Sequence, residues 1–221
     1  MATYMVTGAN RGIGLEYCRK LNQRGHKVIA TCRLSSKELD EVGVRVEQDV
    51  ELTSGESVLK LIRKLRGVHI DVLIQNAGLL ENNSFFDLDP ESIRRQFEIN
   101  ALSPLCFTRA MLNNLSEGSK VILMTSRMGS IKDNSSGGSY GYRMSKVALC
   151  MAGKSLAIDL KPNGIAVALL HPGLVRTGMT SFTPQGITPE KSVQGLIRRI
   201  DLLDLVNTGS FWHANGEILP W

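Results

Sequence analysis

The chain has 221 residues, of which 43% are hydrophobic and 21% are charged, and its formal net charge is +5. A chain of this size and composition is typical of one globular domain, and we expect residues 1–221 to form that domain. The small basic excess is spread along the sequence, which argues against a nucleic-acid partner. No apolar run reaches the ~18 residues of a membrane span, and the N-terminus has no signal-peptide pattern, so we predict a cytoplasmic protein without membrane contact.

Cysteine and histidine residues are few and far apart. None of the four cysteines forms a C-x-x-C pair and the four histidines are isolated, so the sequence predicts no metal site. Each cysteine lies in an apolar context, which predicts a buried free thiol and fits a reducing compartment. The cysteines are Cys18, Cys32, Cys106 and Cys150.

Short apolar runs alternate with longer amphipathic segments along the whole chain. Strands are predicted at 4–8, 27–33, 44–50, 71–78, 119–126 and 164–173, and the tail 209–221 can supply a last one. Helices are predicted at 12–24, 54–66, 89–112, 140–161 and 188–203. Continuous apolar strands separated by helices indicate a parallel sheet covered on both faces. The expected fold class is α/β, a Rossmann-type doubly wound parallel sheet of about seven strands with helices on both faces.

Three signals refine these helices. Asp89 and Thr188 are predicted N-caps, and each is followed by a proline at the first helical position. Pro104 lies inside the segment 89–112 and is expected to kink it.

The stretch "VTGANRGIG" places Gly8, Gly12 and Gly14 directly after the first predicted strand. Glycines at such a turn allow the backbone to approach a pyrophosphate closely, and the following helix offers free N–H groups. A glycine-rich turn alone is weak support for a binding site. Its place after the first strand of an alternating pattern favours a dinucleotide cofactor over a purely structural turn.

The second predicted strand ends on Cys32 and Arg33, without the acidic residue that binds the adenosine ribose in NAD sites. Arg33 can pair with a 2′-phosphate, and Arg11 can supply a second cation. The sequence therefore predicts NADP(H) rather than NAD(H). The alternative is that both arginines are simply exposed basic residues.

The stretch "GSYGYRMSKVAL" carries Tyr142 and Lys146 at positions i and i+4 of a predicted helix, so both lie on one face. A free phenol has a pKa of about 10, and a nearby ammonium is expected to lower it. Tyr142 could then exchange a proton with a carbonyl or alcohol as general acid/base. Tyr140 is the less favoured acid and is expected to line the substrate pocket. Taken alone, the pair could also be an ordinary half-exposed helix pair.

The motifs "TGANRGIG", "QNAG", a serine ending the fifth strand and Y-x-x-x-K occur in the order that is typical of the classical short-chain dehydrogenase/reductase family. The chain resembles that family over essentially its whole length. The stretches "MTSRMGSI" and "GEILPW" are similar to the C-factor and sniffer-type carbonyl reductase branch. The resemblance implies an NADPH-dependent oxidoreductase that transfers hydride between nicotinamide and a small-molecule carbonyl or alcohol. The alternative is a dinucleotide-binding regulatory or signalling protein with little catalysis.

The resemblance also implies roles for residues beyond the Tyr142–Lys146 pair. Ser126 would polarise the substrate carbonyl, although the long spacing to Tyr142 leaves Ser130 as an alternative. Asn100 would anchor a proton relay, or it could merely support the backbone near the predicted kink. Lys146 would also bind the nicotinamide ribose.

Further residues are expected around the cofactor and substrate. Gln75 departs from the usual N-N-A-G motif. The walls of the substrate pocket are predicted to include Met128, Tyr140, Met179 and Phe182. The resemblance also implies that the segments 89–112 and 140–161 could form the interface of a homodimer or homotetramer. The predicted cofactor-binding residues are Gly8, Asn10, Arg11, Gly12, Ile13, Gly14, Arg33, Asp49, Val50, Asn76, Ala77, Gly78, Tyr142, Lys146, Pro172, Gly173, Val175 and Thr177.

Overall fold

A computed structural model describes residues 1–221. Its centre is a seven-stranded sheet in which every neighbouring pair of strands is parallel. The strand order is β3-β2-β1-β4-β5-β6-β7, so the direction of winding reverses between β1 and β4. The strands are β1 (Thr3–Thr7), β2 (Lys27–Thr31), β3 (Arg45–Glu47), β4 (Val72–Gln75), β5 (Lys120–Met124), β6 (Ala166–His171) and β7 (Ser210–His213). The predicted fold class is confirmed.

Helices connect the strands and lie on both faces of the sheet. The helices are α1 (Gly12–Gln23), α2 (Lys37–Asp40), α3 (Gly55–Lys64), α4 (Pro90–Phe97), α5 (Ser103–Ala110), α6 (Tyr140–Leu160) and α7 (Pro189–Leu202). The predicted caps are confirmed, because the Asp89 and Thr188 side chains accept hydrogen bonds from backbone N–H groups of α4 and α7. The short α2 was not predicted. None of the helices is both long and apolar enough to cross a bilayer.

The prediction of one kinked helix over 89–112 needs correction. A π-helical turn, Glu98–Leu102, separates α4 from α5. At its end the Ser103 N–H donates to the Glu98 carbonyl, five residues back. Pro104 has no N–H to continue a regular ladder, so the disturbance falls on the turn before it. The wider turn contains Asn100, which is fully buried.

The core consists of two apolar layers, one on each face of the sheet. Side chains of successive strand residues point to opposite faces, so Val6 belongs to the layer under α1 and α7, whereas Met5 belongs to the layer under α3, α5 and α6. Helix α6 lies especially close, because a Cβ on Gly153 would stand 2.7 Å from the Leu123 side chain. This close packing fixes the position of the helix that carries Tyr142.

Among the cysteines, Cys106 is exposed, contrary to prediction, and the other three are buried.

Two imidazoles meet at the end of β6 and β7. The ring centroids of His171 and His213 are 4.9 Å apart, and Nδ1 of His171 is buried without a hydrogen bond. Burial lowers the pKa of His171 to about 3, and His213 and Arg127 contribute in the same direction. His171 is therefore neutral in the folded protein at neutral pH.

Because of His171, we expect the stability of the fold to decrease in acid. The unfolded chain takes up a proton at His171 near pH 6.5, whereas the folded chain does so only near pH 3, so the stabilisation is complete above about 6.5 and is lost as pH falls toward 3. In His171→Gln, the free energy of unfolding should vary less with pH in that window, by up to about 1.4 kcal/mol per pH unit. Urea unfolding at pH 7 and pH 5 measures this. An equal pH dependence in wild type and variant would contradict it, and His69→Gln, at a half-exposed histidine, is the control.

Candidate active site

A cleft of about 970 Å³ opens at the carboxyl edge of the sheet, between β1 and β4, where the direction of winding reverses. Doubly wound sheets bind ligands at this point. Most of the predicted cofactor residues form its wall, namely Gly8, Asn10, Arg11, Gly12, Ile13, Arg33, Val50, Asn76, Ala77, Gly78, Tyr142, Lys146, Pro172 and Thr177. Four predicted residues are not in the wall: Gly14, Asp49, Gly173 and Val175.

The glycine turn after β1 has the geometry of a phosphate cradle. Gly8 and Gly12 adopt φ values of +63° and +56°, which other residues rarely adopt. Gly14 acts differently from the prediction, because its missing Cβ allows α1 to lie against the turn: a Cβ there would stand 2.2 Å from the Gly8 carbonyl oxygen. Helix α1 has no side-chain cap, so its first N–H groups are available to an anion.

A second turn, after β4, is tied to the first. Nδ2 of Asn76 donates to the carbonyl oxygens of Thr7 (3.0 Å) and Gly8 (3.2 Å). The hydroxyl of Thr7 accepts from the backbone N–H groups of Asn76 and Ala77. Together these bonds hold the two cofactor-side turns in one arrangement.

Gln75, which departs from the usual motif, is fully buried and faces away from the cleft wall. Its Nε2 donates to the Pro104 carbonyl and to Oγ1 of Thr108, both at 3.2 Å. The longer side chain therefore joins β4 to the beginning of α5, immediately after the π-helical turn.

The Arg33 side chain is exposed at the cleft, with Nη1 3.7 Å from Oε2 of Glu51. An exposed pair of this length is weak, so the guanidinium can also reach an anion in the cleft. Asp49 is a turn residue with φ +62°, and its N–H donates to the Arg33 carbonyl. The next residue, Val50, forms part of the cleft wall, whereas Asp49 does not.

Tyr142 and Lys146 lie in the first two turns of α6 and are almost completely buried, at 8% and 4% exposure. Nζ of Lys146 donates to the Met124 carbonyl at 2.9 Å and stands 5.7 Å from the centroid of the Tyr142 ring. Both residues border the cleft, so the i, i+4 pair occurs where the sequence places it.

The pKa of the phenol does not shift in the predicted direction. Burial raises the pKa of Tyr142 to about 12, and the nearby Ser126 hydroxyl opposes this only in part. Burial also lowers the pKa of Lys146 to about 8. Burial is the largest cause of both shifts, and the ammonium does not offset it at Tyr142, because Nζ is bonded to the Met124 carbonyl and not to the phenol oxygen. The phenol therefore carries its proton at neutral pH.

Of the two candidate serines, Ser126 is the one beside Tyr142. Its Oγ also accepts from the Met128 N–H at 3.1 Å, which begins a short turn. Oγ of Ser130 instead accepts from the Asp133 N–H and belongs to the next loop. We call residues Ser126–Ser130 the serine turn. Ser126 is not itself part of the cleft wall, but its neighbour Tyr142 is.

The serine turn packs directly on α6. A Cβ on Gly129 would stand 2.8 Å from the Lys146 carbonyl carbon, so only glycine allows this approach. The Thr125 side chain faces the same helix, with its Oγ1 3.2 Å from Sγ of Cys150. The serine, tyrosine and lysine are thus fixed relative to one another by backbone packing.

The Asn100 side chain hydrogen-bonds to the backbone of Leu79 and to the side chain of Ser145. Its Oδ1 accepts from the Leu79 N–H, and its Nδ2 donates to the Leu79 carbonyl, each at 2.7 Å. Nδ2 also donates to Oγ of Ser145, next to Lys146, at 3.0 Å. A Cβ on Gly78 would stand 3.2 Å from Oδ1 of Asn100 and 3.7 Å from Nζ of Lys146, which places both groups beside the cleft wall.

The substrate end of the cleft differs in part from the prediction. Met179 and Phe182 are in the wall, whereas Met128 and Tyr140 are not. The ring of Tyr140 instead lies 6.3 Å from that of Phe85 at the surface. Sequence reasoning missed several wall residues that carry no motif, among them Leu52, Thr53, Leu79, Ile99 and Ser103. No three His, Cys, Asp or Glu side chains meet in a group that could hold a metal ion.

Hydride transfer to or from a dinucleotide requires a phosphate-binding turn and a proton donor on the same edge of the sheet. This cleft provides both, which defines the class of protein as a dinucleotide-dependent oxidoreductase. The chain belongs to the short chain dehydrogenase family, whose model matches residues 2–187.

Two relatives and two solved structures are similar over most of their length. A 1-hydroxy-2-glutathionyl-2-methyl-3-butene dehydrogenase of Rhodococcus sp. (strain AD45) is 43% identical over 226 residues, covering 100% of both chains. The C-signal of Myxococcus xanthus is 45% identical over 69% of this chain and 93% of its own. The carbonyl reductase Sniffer of D. melanogaster superposes with a TM-score of 0.93 at 28% identity, covering 100% of both chains. An NADPH-bound carbonyl reductase from chicken fatty liver gives a TM-score of 0.89 at 27% identity, covering 100% of this chain and 99% of its own.

These matches identify the protein as an oxidoreductase of the C-factor and sniffer-type branch of this family. The residues of the cleft fit a dinucleotide, because the first N–H groups of α1 have no side-chain cap beside the glycine turn and the exposed Arg33 guanidinium borders the cleft with only a 3.7 Å contact to Glu51.

Proposed function

We propose that this protein reduces a carbonyl compound with NADPH, as a single domain of residues 1–221 in the cytoplasm. The observation that carries the proposal is the phenol of Tyr142, which is buried at the cleft wall, where burial raises its pKa and keeps it neutral. A neutral phenol is the state that can give a proton to a carbonyl oxygen. The reverse reaction, alcohol oxidation, would need the phenolate and should be favoured at high pH.

Each residue of the set has a separate task in the proposed reaction. Bound NADPH supplies the hydride that adds to the carbonyl carbon. Tyr142 donates its proton to the carbonyl oxygen, while the Ser126 hydroxyl donates a hydrogen bond to that oxygen and fixes its place. Lys146 supplies positive charge that stabilises the phenolate left behind, and it binds the nicotinamide ribose. Asn100 holds the backbone beside Lys146 and anchors the path by which Tyr142 regains a proton.

A second candidate is a dinucleotide-binding regulator, which the similarity to the C-signal of M. xanthus brings into consideration. A regulator needs the cofactor cleft but has no use for a buried Tyr142–Lys146 pair, whose burial is costly. The pair therefore favours the enzyme.

An activity panel distinguishes the two functions. Aldehydes, ketones and quinones are tested by loss of NADPH absorbance, and alcohols, including one that bears a glutathionyl group like the substrate named for the Rhodococcus relative, are tested with NADP⁺. Turnover of a carbonyl compound supports the proposal. Tight NADPH binding without turnover of any compound would favour the regulator.

The cofactor preference gives a further prediction. A charge-assisted hydrogen bond is worth about 1.5–3 kcal/mol, so Arg33→Ala should lower the ratio of kcat/KM for NADPH to that for NADH by about tenfold or more. Glu51→Gln releases Arg33 from its ion pair and removes a negative charge beside it, so this variant should raise the same ratio. The measurement is steady-state kinetics with both cofactors. A wild-type preference for NADH, or no change in either variant, would contradict the assignment.

We also propose that the protein assembles as a homodimer through α6 and the neighbouring helices α4 and α5. Three apolar side chains, Met144, Met151 and Ile158, recur at seven-residue intervals along α6 and are 51%, 69% and 64% exposed. A stripe of this kind is typical of an interaction surface. Light scattering of the wild type and of Met151→Lys tests this, since a dimer should weaken in the variant and a wild-type monomer would reject it.

A further inference from the structure

We propose that the C-terminal segment, residues 214–221, is part of the working active site, and that Arg127 is the positioning residue through which it holds the serine turn. The proposal rests on the proposed function, because it concerns the placement of Ser126 and Tyr142 for proton transfer. It assigns a task to a part of the chain that lies outside the cleft wall and beyond the residues matched by the family model.

The first observation is the position of Arg127, the residue that directly follows Ser126. Its Nη2 donates to Oε2 of Glu217 at 2.7 Å, and its Nε lies 3.3 Å from Oδ2 of Asp133. One carboxylate belongs to the loop after the serine turn and the other to the C-terminal segment. The guanidinium therefore joins two distant parts of the chain at the residue next to the serine.

The C-terminal segment is itself firmly attached to the sheet. After β7 the chain reverses, with the His213 N–H donating to the Glu217 carbonyl and the Leu219 N–H donating to the Phe211 carbonyl, both at 2.8 Å. The ring of Trp221 packs on that of Phe211, with centroids 5.4 Å apart. The segment can thus act as a fixed support.

A second bond joins the segment to the same loop. The Lys132 N–H donates to the Trp221 carbonyl at 3.0 Å. Two independent attachments, one at Glu217 and one at Trp221, therefore hold the stretch 127–133.

The serine turn also packs directly on α6. Gly129 is in backbone contact with Lys146, and Nη1 of Arg143 donates to the Met128 carbonyl at 3.4 Å. The turn is thus attached both to α6 and to the C-terminal segment. A shift of the turn would displace Ser126 from Tyr142, and misplacement of reacting groups by about 1 Å can cost about 10²-fold in rate.

The contrasting explanation is that the ion pair only contributes to stability. The Arg127 and Glu217 side chains are 43% and 49% exposed, and pairs of this exposure contribute about 0–1 kcal/mol. The molecule contains a matched control: the Arg24–Asp201 pair, at 3.1 Å, has side chains that are 43% and 50% exposed. It joins α1 to the end of α7 and contacts no residue of the proposed reaction.

The test compares Arg127→Gln, Glu217→Gln and the double variant with Arg24→Gln. Arg127→Gln should lower kcat for carbonyl reduction by about tenfold, and Glu217→Gln should lower it by less, because Asp133 remains. The dissociation constant of NADPH and the melting temperature should stay close to those of the wild type, and Arg24→Gln should keep the wild-type kcat. The double variant should be no worse than Arg127→Gln alone, because both changes break one link.

Charge reversal supplies the second measurement. The pair Arg127→Glu with Glu217→Arg should recover part of the kcat that Arg127→Glu alone loses. The proposal is overturned if Arg127→Gln and Glu217→Gln keep the wild-type kcat, if their effects multiply in the double variant, or if only the melting temperature falls. If wild type binds NADPH but reduces no carbonyl compound, the proposed function fails and this inference fails with it, whereas normal turnover in every variant rejects the inference alone.

Discussion

Tyr142→Phe is expected to lower kcat for carbonyl reduction by about 10²–10⁴-fold, the usual contribution of a positioned proton donor. Phenylalanine fills nearly the same buried space as tyrosine but has no proton to give. The variant should therefore fold and bind NADPH almost as the wild type does. Steady-state turnover, together with NADPH binding followed by fluorescence, measures the two effects separately.

The chain offers a matched control two residues away. Tyr140 is 37% exposed at the beginning of the same helix, and Tyr140→Phe makes the identical chemical change outside the cleft wall. This variant should keep the wild-type kcat. If Tyr142→Phe retained nearly full turnover, or if Tyr140→Phe lost as much, Tyr142 would not be the proton donor.

Lys146→Met is expected to have the second large effect, on both kcat and cofactor affinity. Methionine can fill much of the buried volume of the lysine stem but supplies neither the charge nor the hydrogen bonds of the ammonium. Without that charge the phenolate formed from Tyr142 is less stable, and the nicotinamide ribose loses a partner. A fall of about 10²-fold or more in kcat/KM for the carbonyl substrate should follow, since removing the partner of a buried charged group costs several kcal/mol.

The pH profile provides an independent measurement of the same residue. Because burial lowers the pKa of Lys146 to about 8, the ammonium is present below that pH and is lost above it. The kcat/KM of the wild type should therefore decline above about pH 8, and the residual activity of Lys146→Met should not show that decline. Lys154→Met, at an exposed lysine farther along α6, should match the wild type. An unchanged alkaline decline in Lys146→Met would assign it to another group.

Much of the architecture could be predicted because local and global signals agree. The alternation of apolar strands and amphipathic helices gives a parallel sheet, and the glycine turn after β1 marks its ligand-binding edge. The caps at Asp89 and Thr188 and the i, i+4 pair of α6 were predicted for the same reason: each depends only on residues within one or two turns.

The rest depends on contacts between distant segments. The π-helical turn arises because Pro104 lies one turn after Asn100, whose amide is bonded to Leu79 and Ser145. The raised pKa of Tyr142 reflects its depth of burial, which the spacing to Lys146 does not reveal. The cleft wall likewise includes residues such as Leu52 that carry no chemical motif.

The bonds made by Asn76 and Thr7 have a mechanical consequence. They join the turns after β1 and β4, so these two turns should move together as one rigid unit at the floor of the cleft. Motion that admits and releases ligands must then come from the opposite rim, around Ser181 and Phe182. These two adjacent residues hold left-handed backbone angles, φ +49° and +52°, at an energetic cost that a modest rearrangement would release. We therefore expect the cleft to open and close by movement of one rim only.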